Sequence, residues 1–233
     1  AAMQRGKAIG AGLLSRTAVP VVIAHVVIAL VYTTPWDNYL VATDVWWYDS
    51  ELVTGVTLGW VPIEEYTFFI VQTLLSGLFL LMLARYMYAA PPRLYANPAL
   101  RRWSTAVLGL GWAASVLPLI VGWQPGTYLG LELGWALPPI MLQLGFGADI
   151  LWARRRLVSV GILVPTVYLS LVDAIAIDSG TWTIDPEQST GLMVGGVLPI
   201  EEVLFFFLTN TLVVLGITLM LAEESQPRAQ NLL

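Results

Sequence analysis

The chain has 233 residues, 57% of them hydrophobic and only 12% charged, with a net charge of −5. A soluble domain carries roughly 25% charged residues, so this composition excludes a water-exposed globular surface, and the acidic balance argues against a nucleic-acid partner. The absence of cysteine excludes disulfides and thiolate chemistry, and the single lysine, Lys7, lies outside every apolar run, which excludes a retinal Schiff base within a bilayer.

Apolar runs of about 20 residues, long enough to cross a hydrocarbon core of about 30 Å, recur along the chain. In order they predict six spans, at 17–34, 60–85, 103–122, 127–147, 157–177 and 191–221, with a seventh, marginal span left open. Arg5, Lys7 and Arg16 precede the first run as in a signal peptide, but that run leads straight into further spans, so no cleavable signal is expected. Gly10-Ala11-Gly12 lacks a preceding strand and a suitably placed acid; it does not make a dinucleotide site, and no cofactor or metal is expected.

Span one carries His25, expected to be a hydrogen-bonded packing residue, and ends at Pro35-Trp36-Asp37-Asn38. The loop after it is acidic (Asp37, Asp44, Asp49, Glu51) and holds Trp46-Trp47-Tyr48 with Trp60, which suit an interfacial aromatic belt or a lid over a pocket. Beyond span two come Arg85, Arg93, Arg101 and Arg102, then an uncharged turn near Gln124. Span four carries Glu132 above Pro138 and Pro139 and leads to Arg154, Arg155 and Arg156; the loop after span five has Asp178, Asp185 and Glu187. Every second loop is basic, which by the positive-inside rule places both termini in the cytoplasm. The expected fold is all-α: one membrane domain over residues 1–233, a polytopic helical bundle in the cell membrane, in contact with lipid and free to form a homo-oligomer.

Comparison of the chain with itself gives a sharper signal. Gly59-Trp60-Val61-Pro62-Ile63-Glu64-Glu65-Tyr66-Thr67-Phe68-Phe69 matches Gly196-Val197-Leu198-Pro199-Ile200-Glu201-Glu202-Val203-Leu204-Phe205-Phe206 at an offset of 137 residues. Upstream, Pro35-Trp36-Asp37-Asn38 corresponds loosely to Leu171-Val172-Asp173-Ala174. Two parallel pseudo-repeats are expected, at about 17–122 and 127–221. A single Pro-Ile-Glu-Glu tetrad is an ordinary helix N-terminus, with proline at the first position and acids in the first turn. Two such tetrads, each the only charge in about thirty otherwise uncharged residues, are less easily explained, because an ionised carboxylate within the bilayer costs at least about 2.5 kcal/mol. Helical spacing puts Glu65, Phe68, Phe69 and Gln72 on one face, and Glu202, Phe205, Phe206 and Thr209 on its counterpart.

At these residues the sequence resembles the flavin-independent lycopene cyclase family, found as split heterodimers in bacteria and as fused domains in archaea and fungi. The resemblance rests on the two Pro-x-Glu-Glu tetrads with Phe-Phe, on Pro35-Trp36-Asp37, and on Val172-Asp173-Ala174-Ile175-Ala176 with Trp182; it extends over most of 17–221. It implies a fused form that closes the linear ends of lycopene, or a similar linear carotenoid, to give β-carotene or a related cyclic product. Such a reaction is redox-neutral and needs an acid, a base, a dry cavity and a means of stabilising a cation. The family pattern favours Glu64 and Glu201 as acids, the helical faces favour Glu65 and Glu202, and all four stay candidates with Asp37 and Asp173. Candidate substrate contacts are Trp60, Tyr66, Phe68, Phe69, Gln72, Phe205, Phe206 and Asn210. The principal rival is a proton-coupled membrane transporter, since paired intramembrane glutamates also make ion sites.

Overall fold

A computed structural model describes residues 18–87 and 94–231. Arg5, Lys7, Arg16, the Gly10-Ala11-Gly12 segment and Arg93 lie outside the described residues. Six helices are long and apolar enough to cross a membrane: α1 (Ala18–Ala42), α2 (Ile63–Met87), α3 (Pro98–Val121), α4 (Thr127–Ala153, preceded by a 3-10 turn at Gln124–Gly126), α5 (Arg155–Asp178) and α6 (Ile200–Leu221). A short α7 (Ser225–Gln230) follows. The fold is an all-α polytopic bundle of a membrane protein.

Helix α6 is its axis. It packs against α1, α2, α4 and α5, and most of its residues are buried. A helix apolar on every side is one that neighbours surround, and α6 has the highest mean hydropathy of the six spans. Polar side chains tie the central helices together within the apolar interior. Gln72 of α2 donates to Thr209 of α6, and Ser76 of α2 donates to Asn210 of α6. Asn210 in turn donates to Thr166 Oγ1 of α5 at 3.2 Å. Gln72 and Thr209 stand at the same 137-residue offset as the tetrads, so equivalent residues of α2 and α6 touch and the two helices run side by side in the same direction. Helix α3 stands apart, packed chiefly on α4; Asn97 caps it by accepting from the Leu100 N–H, and Pro98 occupies the first turn.

The largest departures from the expected span boundaries are at the end of α1 and the start of α6; α3 begins five residues earlier and α4 ends six residues later than expected. Helix α1 runs past Pro35 to Ala42, since a proline inside a membrane helix is tolerated where neighbouring helices pack around it; on either side of it Thr34 bonds Leu30 O and Asn38 bonds Thr34 O. Asp37 is therefore a buried helical residue and not part of a solvated loop. Helix α6 begins at Ile200, and residues 193–199 form a hairpin instead of its first turns.

The connections at the tetrad end contain short strands. β2 (Thr57–Leu58) pairs with β3 (Val61–Pro62), and β5 (Met193–Val194) with β6 (Leu198–Pro199). Each hairpin leads directly into a tetrad helix. The second has one more residue in its turn, which is why Asp37 and Asp173 fall one residue out of step with the offset of the tetrads. β1 (Trp46–Tyr48) pairs antiparallel with β4 (Trp182–Ile184), joining the α1–α2 connection to the α5–α6 connection. The order helix, strand, hairpin, helix thus occurs twice, at α1–α2 and at α5–α6, with α3 and α4 between. At the opposite end, Arg228 of α7 forms a double hydrogen bond with Asp149 of α4 at 2.7 and 2.9 Å, and the buried Arg154 clasps Glu224 at 2.7 and 2.9 Å.

Candidate active site

The first turns of α2 and α6 carry the tetrads, and within each the two glutamates point to different places. A helix advances about 100° per residue, so adjacent side chains cannot share a face. Glu64 turns back to its own hairpin, where Oε1 accepts from the Thr54 N–H at 2.7 Å. Glu201 does the same in the second half, accepting from the Thr190 N–H and from the Thr190 hydroxyl, both at 2.8 Å. Glu65 and Glu202 face inward and line one cavity of about 110 Å³ between the two halves.

Asp37 of α1 and Asp173 of α5 line the same cavity, together with Trp46 and Trp182. Those two tryptophans belong to the paired strands β1 and β4, so the strand pair roofs the cavity. Trp46 is buried, whereas Trp47 and Trp60 are exposed. Of the two readings offered for this aromatic segment, a cover suits Trp46 and a surface belt suits Trp47 and Trp60. In the roof, burial and the nearby carboxyls of Asp37 and Glu64 push the Tyr48 phenol above its ordinary range; its O–H donates to Trp60 O at 2.7 Å.

The remaining wall is aromatic. Phe68 and Phe206 meet edge to face with centroids 6.1 Å apart, and Phe205 meets Phe206 at 5.4 Å. Trp36 stacks on Phe205 at 5.9 Å and on Trp135 at 4.6 Å, and Tyr32 extends the stack at 5.7 Å from Trp135. Trp36 is fixed by a 3.1 Å bond from its indole N–H to Leu131 O. Phe69 and Phe205 also line a second cavity of about 200 Å³, with His25, Tyr32, Gln72, Gln143 and Thr209. The two cavities therefore meet at a shared phenyl constriction, and together they run along α2 and α6. Val172 of α5 lines the first cavity while being 47% exposed on the outer face of the bundle. The β1–β4 pair covers the loop end of the cavity, and Val172 is the part of its wall that is also exposed on the side of the bundle.

Of the residues singled out from sequence, Glu65, Glu202, Asp37, Asp173, Phe68, Phe69, Phe205 and Phe206 come together here, and Gln72 lies in the second cavity. Five do not reach either cavity. Glu64 and Glu201 hold the hairpins. Tyr66 donates to Leu58 O at 2.8 Å and accepts from Asn38 Nδ2 at 3.0 Å, which makes it a brace for the first hairpin. Trp60 is 65% exposed beside it, its N–H bonded to Asn38 Oδ1. Asn210 is fully buried in the bonds between α2, α5 and α6. His25 bonds Val21 O through Nδ1 while its ring faces the second cavity.

Two residues of α4 escaped the sequence reading of the site. Tyr128 is buried and donates to Glu202 Oε1 at 2.6 Å; Trp135 completes the stack. Neither has a counterpart in the repeat, so self-comparison could not reveal them. Among the described residues, no cluster of three or more His, Cys, Asp or Glu is arranged to hold a metal ion.

The arrangement offers acids and bases in a space walled by π faces. Four carboxyls line one cavity, close enough to share and exchange protons with a bound molecule. Both proton donor and proton acceptor can therefore be present at once.

Comparison with known proteins gives a consistent picture. The family model described as lycopene cyclase matches residues 10–83 and 125–220, the two stretches that contain the tetrads. A lycopene beta-cyclase of Halobacterium salinarum is 41% identical over 221 residues, covering 92% of this chain and 83% of that protein. A bifunctional lycopene cyclase/phytoene synthase of Podospora anserina is 38% identical over 200 residues, covering 82% of this chain and 33% of that protein. A protein with the same description from Colletotrichum graminicola is 41% identical over 201 residues, 82% of this chain and 34% of its own length. No solved structure gives a significant match. With the matched segments spanning both tetrad helices and most of the aromatic wall, the chain belongs to the lycopene cyclase family.

Proposed function

We propose that this chain is a carotenoid end-group cyclase that converts the linear ends of lycopene, or a similar carotenoid, into rings of β type. The observation that carries the reading is the convergence of Glu65 and Glu202 with Asp37 and Asp173 in a single aromatic-walled cavity. An end group enters past Val172, and the polyene extends towards the second cavity. A cavity carboxylic acid gives its proton to the terminal double bond. The tertiary cation so formed is captured by the neighbouring alkene, which closes the ring, and a ring proton then passes to a cavity carboxylate. Atoms and charge balance without an oxidant or reductant.

Glu65 is read as the donor, because no hydrogen-bond donor holds its carboxyl. Glu202 is read as the acceptor, because the Tyr128 hydroxyl already points a proton at Oε1. Asp37 and Asp173, in the same lining as Trp46 and Trp182, orient and share charge with them. The rings of Phe68, Phe205, Phe206 and Trp36 face the passing cation, a contact worth about 2 kcal/mol per desolvated ring. This stabilisation is selective because the charge exists only along the reaction path.

The chain acts as a fused pair of repeats in the cell membrane, with its basic loops and both termini in the cytoplasm and the tetrad end on the other side. The same carboxyls would suit a proton-coupled transporter, but the family places them in a cyclase and the π-lined wall has no use for a hydrated ion.

Expression in a lycopene-accumulating host tests the proposal. Wild-type chain is expected to yield pigments with cyclic end groups, and Glu65→Gln or Glu202→Gln to lower their formation at least about a hundredfold while the protein still inserts. Glu64→Gln, which keeps an acceptor for Thr54, is expected to retain most activity. Unchanged lycopene with the wild type, or loss at Glu64 with retention at Glu65, would overturn this reading.

A further inference from the structure

Glu132 of α4 is fully buried, and neither of its carboxyl oxygens has a hydrogen-bonding partner among the described residues. Such a group within a membrane bundle is costly unless it is used. It does not line the first cavity. It sits one helical turn beyond Tyr128, on the face of α4 from which Tyr128 reaches Glu202 of α6. Glu201, also fully buried, has one oxygen tied to Thr190 on the β4–β5 loop and the other without a partner among the described residues. Tyr128 and Glu132 on α4 and Glu201 on α6 are thus buried proton-carrying groups around Glu202, and Glu201 is bonded to the loop at the bundle end. The first half has no equivalent, since α4 supplies its acid and phenol only to the second tetrad.

We infer that Glu132 carries the proton accepted by Glu202 away from the cavity after each ring closure and passes it through Glu201 to the loop surface, while Glu65 takes its next proton from water once the product has left. The inference rests on the cyclase reading and deepens it. One proton is taken up by the substrate and one is released per ring, so the site must be reset before it can act again. While a cyclised end group fills the cavity, Glu202 cannot return its proton across it, and the rear route is the one left open. Glu132 is a relay and not a catalytic residue: it touches no reacting atom.

The test compares two regimes in membranes containing the full-length chain. With enzyme in excess over lycopene, Glu132→Gln is expected to close its first ring at a rate within about twofold of wild type. With lycopene in excess, its steady-state rate is expected to fall roughly tenfold or more, with KM unchanged, and Glu132→Asp is expected to recover part of that loss. Glu201→Gln should show the same split, which keeps the test decisive if Glu132→Gln fails to accumulate. Equal loss in both regimes, or a wild-type steady-state rate in both glutamine variants, would overturn the relay. A wild-type chain that forms no rings at all would instead sink the cyclase reading.

Discussion

Tyr128 shows how one hydrogen bond separates two otherwise equivalent glutamates. Glu65 and Glu202 occupy matching positions on α2 and α6, yet only Glu202 receives a phenolic O–H, at 2.6 Å. A hydrogen bond to a charged group contributes about 1.5–3 kcal/mol. Tyr128→Phe keeps the ring and removes that bond, so cyclisation is expected to slow roughly ten- to a hundredfold with the protein still folded; pigment analysis with a melting curve in detergent checks both. The acids were legible in the sequence because they are duplicated, and the phase of the helix was enough to set Glu65 with Phe68 and Phe69, and Glu202 with Phe205 and Phe206. What local pattern could not supply was the hairpin that draws Glu64 and Glu201 away, since Thr54 and Thr190 lie ten and eleven residues before them. Trp135 and Tyr128 were hidden for a related reason: an aromatic residue on a membrane helix says nothing by itself about which neighbour it meets.

Among the elements, α1 and α6 depend on a missing side chain. A Cβ at Gly216 would lie 2.3 Å from His25 Nε2, whereas one at Gly111 of α3 would meet nothing within 4 Å. Gly216→Ala therefore makes the His25 ring and the Gln143 amide give way between the helices and is expected to cost about 1–3 kcal/mol, while Gly111→Ala should stabilise by about 0.5–1 kcal/mol through helix propensity alone; thermal melting of the two variants side by side tests the contrast. The strand pair offers another measurement. Trp47 and Thr183 face each other across β1 and β4, at a separation a disulfide can bridge, and the natural chain has no cysteine to interfere. Trp47→Cys with Thr183→Cys is expected to lock the roof yet leave cyclisation intact, because substrate enters beside Val172; loss of activity restored by reductant would place the entrance at the roof instead. Six spans could be counted from hydropathy and alternating loop charge. Their ends could not, because Pro35 and Asp37 look like a terminus when their satisfying neighbours are unseen. The apolar hairpin strands Met193–Val194 and Leu198–Pro199, in turn, look like helix.

At the scale of the whole molecule, the two halves do not each build a site. Equivalent surfaces of α2 and α6 meet face to face, and the space between them is common property of both. A substrate such as lycopene, however, is itself symmetric and has a reactive group at each end of a long polyene. A lone chamber can accommodate only one of those ends, so the molecule must back out, turn around and re-enter before its second ring can be made. Half-finished product is then an obligatory free species: in a time course it should rise before the two-ringed carotenoid does, and a pulse of isotopically labelled lycopene chased with unlabelled material should strand label at the one-ring stage. The two tetrad helices thus serve as the halves of one pair of jaws, and the traffic in and out of the lipid is set by how often they must bite.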